Sequence, residues 1–201
     1  MTKTLSLLFF GFIVLTFASC AKPKAQKDCG YVQNVYGERI SWKQEVPIHM
    51  YLHTSVPSQY EGAIRLAAES WNQAEGRTII IVESERVGGA GPVRDGRNVI
   101  YYLSTWEVDR ASEQARTSLY WVGDQVQEAD IRINAKNYQF YTEENGTVGV
   151  NIQALVLHEM GHVLGLRHND STPSVMATYL KTNQDRTQLQ QVDESSLKCE
   201  Y

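Results

Sequence analysis

Apolar residues along the chain fall into runs of two different periods. "VPIHMYLHT" (46–54) alternates and is rich in strand formers, so it predicts a β-strand. "PSQYEGAIRLAAESWNQAEG" (57–76) follows with helical spacing. Ile64, Leu66, Ala67, Ala68 and Trp71 give it an apolar face, Pro57 suits a first turn and Gly76 suits a stop. "RTIIIVES" (77–84) is a short apolar run expected as a buried strand. "GGAGPVRDGRN" (88–98) is a glycine-rich loop. "VIYYLSTW" (99–106), "TSLYWVG" (117–123) and "ADIRIN" (129–134) predict three more strands, with Gly123-Asp124 as the turn between the last two. A second helix is expected from Asn151, a good N-cap type. Ile152, Leu155, Val156, Val163 and Leu164 supply its core-facing positions. The last twenty residues are polar and helical in part, with Leu189, Val192 and Leu197 as candidates for burial.

The N-terminus breaks this pattern. Lys3 precedes an apolar run from Leu5 to Phe17, too short for a comfortable membrane span. It reads as a secretory signal peptide over residues 1–19. Ala18-Ser19-Cys20 resembles the end of a bacterial lipobox, which implies that Cys20 is lipidated and becomes the mature N-terminus. A plain signal cleaved after Ala21 is the competing reading. "CAKPKAQKD" (20–28) is polar and lysine-rich, as a tether would be. The expected organisation is a signal peptide (1–19), a lipidated N-terminus and tether (20–44), and one folded domain (45–201).

Composition adds exclusions. The 201 residues are 42% hydrophobic and 21% charged, with a net charge of −4, as in a soluble globular domain. No basic stripe is present, so nucleic acid is not an expected partner. Three cysteines, Cys20, Cys29 and Cys199, leave an even pair once Cys20 is lipidated. A Cys29–Cys199 bridge is the first reading of that pair and two free thiols the second.

Three of the five histidines lie in "HEMGHVLGLRH" (158–168). On a helix, His158 and His162 present both imidazoles on one face. A zinc ion takes such a pair without bending the helix. Glu159 projects beside that face, where a general base would act on a zinc-activated water. Gly165 can end the helix in a left-handed turn and bring His168 back as a third ligand. Three protein ligands leave a fourth position open, the mark of a catalytic site.

This stretch is the H-E-x-x-H-x-x-G-x-x-H signature, and the chain resembles the metzincin zinc endopeptidases. Met176 in "TPSVMATY" resembles their Met-turn. "ADIRIN", the length of the domain and "SVM" resemble the matrixin branch in particular, although Asn169 stands where matrixins usually carry Ser. The resemblance implies an α+β fold: a mixed, mostly parallel five-stranded sheet, two long helices and a small C-terminal subdomain holding the Met-turn. It implies a monomeric endopeptidase with one catalytic Zn²⁺ that acts on extended protein or peptide substrates. These would lie along an edge strand at 117–122, with Tyr179 a candidate for the pocket. A Ca²⁺ ion is possible in the family, but the residues here do not support one. His49 and His53 read as side chains of their strand, not as ligands of a second metal. "DCGY" (28–31) resembles part of the matrixin cysteine switch, a reading that competes with the disulfide. The lipobox resemblance places the protein on a bacterial outer membrane or cell surface, with a soluble secreted or periplasmic form as the alternative. The rival from another class is a zinc-binding surface lipoprotein without turnover, an adhesin or scaffold.

Overall fold

A computed structural model of the chain describes residues 25–89, 91–142, 149–179 and 186–201. Residues 1–19, read above as a signal peptide, and Cys20 lie outside the described residues.

Five strands form one sheet: β1 (Ile48–His53), β2 (Ile80–Val87), β3 (Asn98–Leu103), β4 (Ala115–Val122) and β5 (Gln125–Asn134). Their order is β2-β1-β3-β5-β4. The pairs β1/β2, β1/β3 and β3/β5 are parallel, and β4 runs antiparallel to β5. Strand alternation sends Met50 and Leu52 of β1, Ile100 of β3, and Ile131 and Ile133 of β5 into the core. β5 begins four residues earlier than its apolar pattern suggests. Val126 is buried, and a register shift at Tyr120/Trp121 bends the β4–β5 hairpin.

Two helices cover one face of the sheet. A short 3-10 turn at Ser58–Tyr60 leads into α1 (Glu61–Glu75). Ile64, Ala67, Ala68 and Trp71, at i, i+3, i+4 and i+7, are buried, whereas Leu66 points to solvent at 55% exposure. Gly76 ends the helix at φ +80, a left-handed C-cap. The Asn72 side chain then accepts from the backbone N–H groups of Ile79 and Ile80 (2.8 and 2.9 Å) and so fixes where β2 starts. The second helix, α2 (Ile152–Val163), begins at Asn151, whose side chain accepts from Ala154 N (3.1 Å). Trp71 Nε1 donates to Leu157 O (3.0 Å) and locks α1 to α2. Two short strands, β6 (Phe140–Tyr141) and β7 (Val150–Asn151), lead into α2, and α3 (Gln191–Leu197) closes the C-terminus. Leu197 is buried there, with Leu189 and Val192 partly so. No helix among the described residues is long and apolar enough to cross a membrane.

The domain boundary expected at 45 is too late. Tyr31, Ile40 and Trp42 are buried in the main core. Trp42 Nε1 donates to Val163 O (2.8 Å) at the end of α2. These apolar residues are single positions in a polar stretch, held by isolated bridges such as Tyr31 to Leu166, so no strand periodicity announces them. Cys29 and Cys199 are joined in a disulfide with a Cα–Cα distance of 6.3 Å, closing the ends of the fold across 170 residues. A bridged Cys29 has no thiol to cap a metal, which decides against the cysteine-switch reading of "DCGY".

Candidate zinc centre

α2 carries the chemistry. His158 and His162 are one turn apart on it, and the helix ends in a Schellman arrangement. Gly165 N donates to His162 O, and Leu166 N reaches back to Gly161 O, both at 2.9 Å. Gly165 holds φ +101. A Cβ there would meet Ile40 O at 2.2 Å, so only glycine lets the chain turn under residue 40. The turn returns His168 to the other two rings, and the ligating nitrogens of His158, His162 and His168 lie within 4.8 Å of one another.

The orientation of the rings tests whether they fit a metal. His158 Nδ1 lies 2.7 Å from Val175 O and His162 Nδ1 lies 2.7 Å from Leu166 O. Carbonyls only accept, so these Nδ1 atoms carry the protons and both Nε2 lone pairs face inward. The Nε2 of His162 stands 3.1 Å from the Nε2 of His158 and 3.1 Å from that of His168. Tetrahedral ligands at about 2.0–2.1 Å from zinc stand about 3.3–3.4 Å apart, so the triad fits that ion. Burial pushes the His158 pKa down to about 3, and burial also lowers that of His168. Both rings are therefore held in the neutral form that binds metal.

The segment after the third histidine packs beneath the triad. Met176 is buried, and a Cβ on Gly161 would come within 2.2 Å of its sulfur. Asn169 N donates to Met176 O (2.8 Å), so Asn169 serves the turn through its backbone. Sequence reasoning missed the residue that holds this turn, Asp193 of α3. Its buried carboxylate accepts from Ser174 Oγ, Val175 N (3.1 Å) and Gln190 N (2.9 Å). Val175 is the residue whose carbonyl orients His158, so Asp193 acts on the triad at one remove. The box that Gln190 and Asp193 form at the start of α3 was its one local signal.

Glu159 lies next to the triad and is buried. Its carboxyl is raised above the usual carboxylate range by burial, against the pull of His162 and of a hydrogen bond from Thr117. Thr117 Oγ1 donates to Glu159 Oε2 at 2.6 Å. Thr117 is a second residue the sequence did not single out, since one threonine in a strand carries no signal. Both residues line a cleft of about 660 Å³ with all three histidines, Leu119 and Tyr179. β4 forms its wall and is the edge strand of the sheet. Tyr179 is 82% exposed, at the rim.

The family model for Matrixin matches residues 11–201 of the chain. The chain is a matrixin. Matrixins are zinc metalloproteases, and the histidine triad is where this one could hold the ion. A comparison with individual curated proteins returns no match. His49 and His53 stay apart from the triad. His49 pairs with Glu83 (2.5 Å), while His53 bonds Ser55 Oγ (2.8 Å) and packs against Tyr101 with ring centroids 5.0 Å apart.

Proposed function

We propose that this matrixin is a zinc-dependent endopeptidase for extended protein or peptide segments. One observation carries the reading: three inward-facing imidazoles and a buried glutamate share a cleft whose wall is an edge strand. His158, His162 and His168 would hold the zinc. When bound, it supplies a Lewis acid that acidifies water and polarises a carbonyl. Glu159 takes the proton of the attacking water, its basicity raised by burial. The same carboxylate hands the proton to the departing amine. Thr117 fixes the carboxylate rotamer through Oε2. β4, the edge strand among the described residues, offers its outer side to the substrate backbone, so an extended segment adds as a further strand. Tyr179 at the rim contacts the substrate near the cut.

The test is hydrolysis of an unstructured protein such as casein. The purified chain cleaves it, and a chelator abolishes cleavage. Glu159→Ala retains zinc but loses at least about 10²-fold in rate. A variant that cleaves at the wild-type rate sinks the role given to Glu159. A zinc-loaded wild type without turnover supports the adhesin or scaffold reading instead.

The chain is further proposed to be exported and anchored through a lipidated Cys20. The Cys29–Cys199 disulfide supports export, because such bridges persist in oxidising compartments. Metabolic labelling with a fatty acid checks it: label enters the wild type and not Cys20→Ser. Equal labelling of the two removes the anchor.

A further inference from the structure

Two turn tips and the incoming N-terminal chain meet at one end of the domain. Gln26 N donates to Gly37 O (2.8 Å), and a Cβ on Gly37 would lie 2.9 Å from that of Ala25. The chain therefore joins the domain beside the turn at 34–38. Asn34 Nδ2 donates to Gly123 O (3.1 Å), tying this turn to the one between β4 and β5. Four large apolar side chains stand exposed on these tips: Val35 at 92%, Tyr36 at 59%, Trp121 at 45% and Val122 at 66%. They are half of the large exposed hydrophobics among the described residues, gathered at a single end. The acidic groups there have partners, since Glu38 accepts from Asn34 (2.8 Å) and Asp124 pairs with Lys43 (3.0 Å).

We infer that this end docks on the bilayer surface to which the N-terminus is tethered, with Val35, Tyr36, Trp121 and Val122 entering the headgroup region. The inference rests on the proposed anchor at Cys20. Four residues lie between Cys20 and Ala25, so five Cα-to-Cα steps give a reach of about 18 Å at most. The tether thus holds this face of the domain within range of the lipid. Tryptophan and tyrosine suit that depth, with an apolar body and a polar tip. Lys22 and Lys24 precede the point where the chain joins the domain and Lys27 directly follows it, and all three complement anionic headgroups. Trp121 also lines the cleft, so docking sets one end of the cleft at the membrane surface.

Tryptophan fluorescence tests this, because Trp42, Trp71 and Trp106 are buried and Trp121 is not. The full chain is purified in detergent from the membranes of cells producing it. It is then reconstituted into vesicles of phosphatidylcholine and phosphatidylglycerol, with or without dibrominated acyl chains. Bromine should quench about a quarter of the emission, the share of one tryptophan in four. The quenching should vanish in Trp121→Phe and in Val35→Asp/Tyr36→Asp, both still floating with the vesicles. Flotation with no bromine quenching overturns the docking and leaves the anchor intact. Failure of the wild type to float removes the anchor, and the docking with it. A dimeric mass in vesicle-free detergent that Val35→Asp/Tyr36→Asp abolishes assigns the patch to a second copy and overturns the membrane as its occupant.

Discussion

Gly165→Ala is the substitution that most cleanly separates backbone strain from packing at the zinc centre. Two costs act at that position. Alanine is strained at φ +101, by roughly 1–3 kcal/mol. Its Cβ would also stand 2.2 Å from Ile40 O and 3.1 Å from the Tyr31 ring. A backbone oxygen cannot swing aside as a side-chain end can. Ile40 is buried and its N–H donates to Val32 O (2.9 Å), while Val32 N in turn donates to Gly165 O (2.9 Å). Relieving the clash shifts the whole 30–40 segment, which adds roughly 1–3 kcal/mol. Gly76→Ala is the internal control, since φ there is +80 and nothing lies within 4 Å of the added carbon. It should cost only the left-handed strain, about 1–2 kcal/mol. Thermal denaturation of the zinc-depleted proteins then gives a Tm loss of about 2–8 °C for Gly76→Ala and about 4–24 °C for Gly165→Ala. Only Gly165→Ala should also release zinc on dialysis, because the displaced turn carries His168. Equal Tm losses in the two variants, or wild-type zinc retention in Gly165→Ala, would show that the Ile40 carbonyl does not constrain this turn.

Replacing both Cys29 and Cys199 by Ser opens a 170-residue loop and should lower stability by about 5 kcal/mol in the chain-entropy model. Urea denaturation checks it, and an unchanged midpoint would show that the bridge contributes nothing. Burial raises the Asp130 pKa to about 7 from 3.8. The folded protein thus keeps a proton between these values that the unfolded chain has released. That contribution is fully present below pH 4 and is lost as pH rises through 7, by an amount on the order of 4 kcal/mol. Asp130→Asn can still accept from Val99 N, so its stability should vary less than that of the wild type across the same window. Parallel pH-stability curves would argue against a protonated Asp130. Thr117→Val should lower kcat/KM about 10–100-fold with zinc content unchanged, and Thr117→Ser should restore it. Loss of zinc from the valine variant would mean that Thr117 supports the fold and not Glu159.

Most of the site was legible because its residues are local. The spacing of His158, His162, Gly165 and His168 encodes one helix and one turn, and both depend on near neighbours only. The N-cap at Asn151 and the stop at Gly76 are likewise local rules, and both hold. The strands could be read because each buries one face of alternating residues. What escaped depends on contacts distant in sequence. Tyr31, Ile40 and Trp42 join the core singly, through partners more than a hundred residues away such as Leu166 and Val163. Asp193 and Thr117 are polar residues whose importance lies wholly in the groups they meet, Val175 and Glu159. Leu66 carries the hydrophobicity of a core residue on the wrong side of its helix. Periodicity cannot separate that from burial.

The central claim is that hydrolysis depends on one ion held by His158, His162 and His168. A zinc titration of the chelator-stripped chain tests it most directly, with peptide hydrolysis followed at each addition. The stripped chain should show no activity at zero metal, and the rate should rise linearly with added zinc and stop at one zinc per chain. Hydrolysis that persists in the fully stripped protein would contradict it.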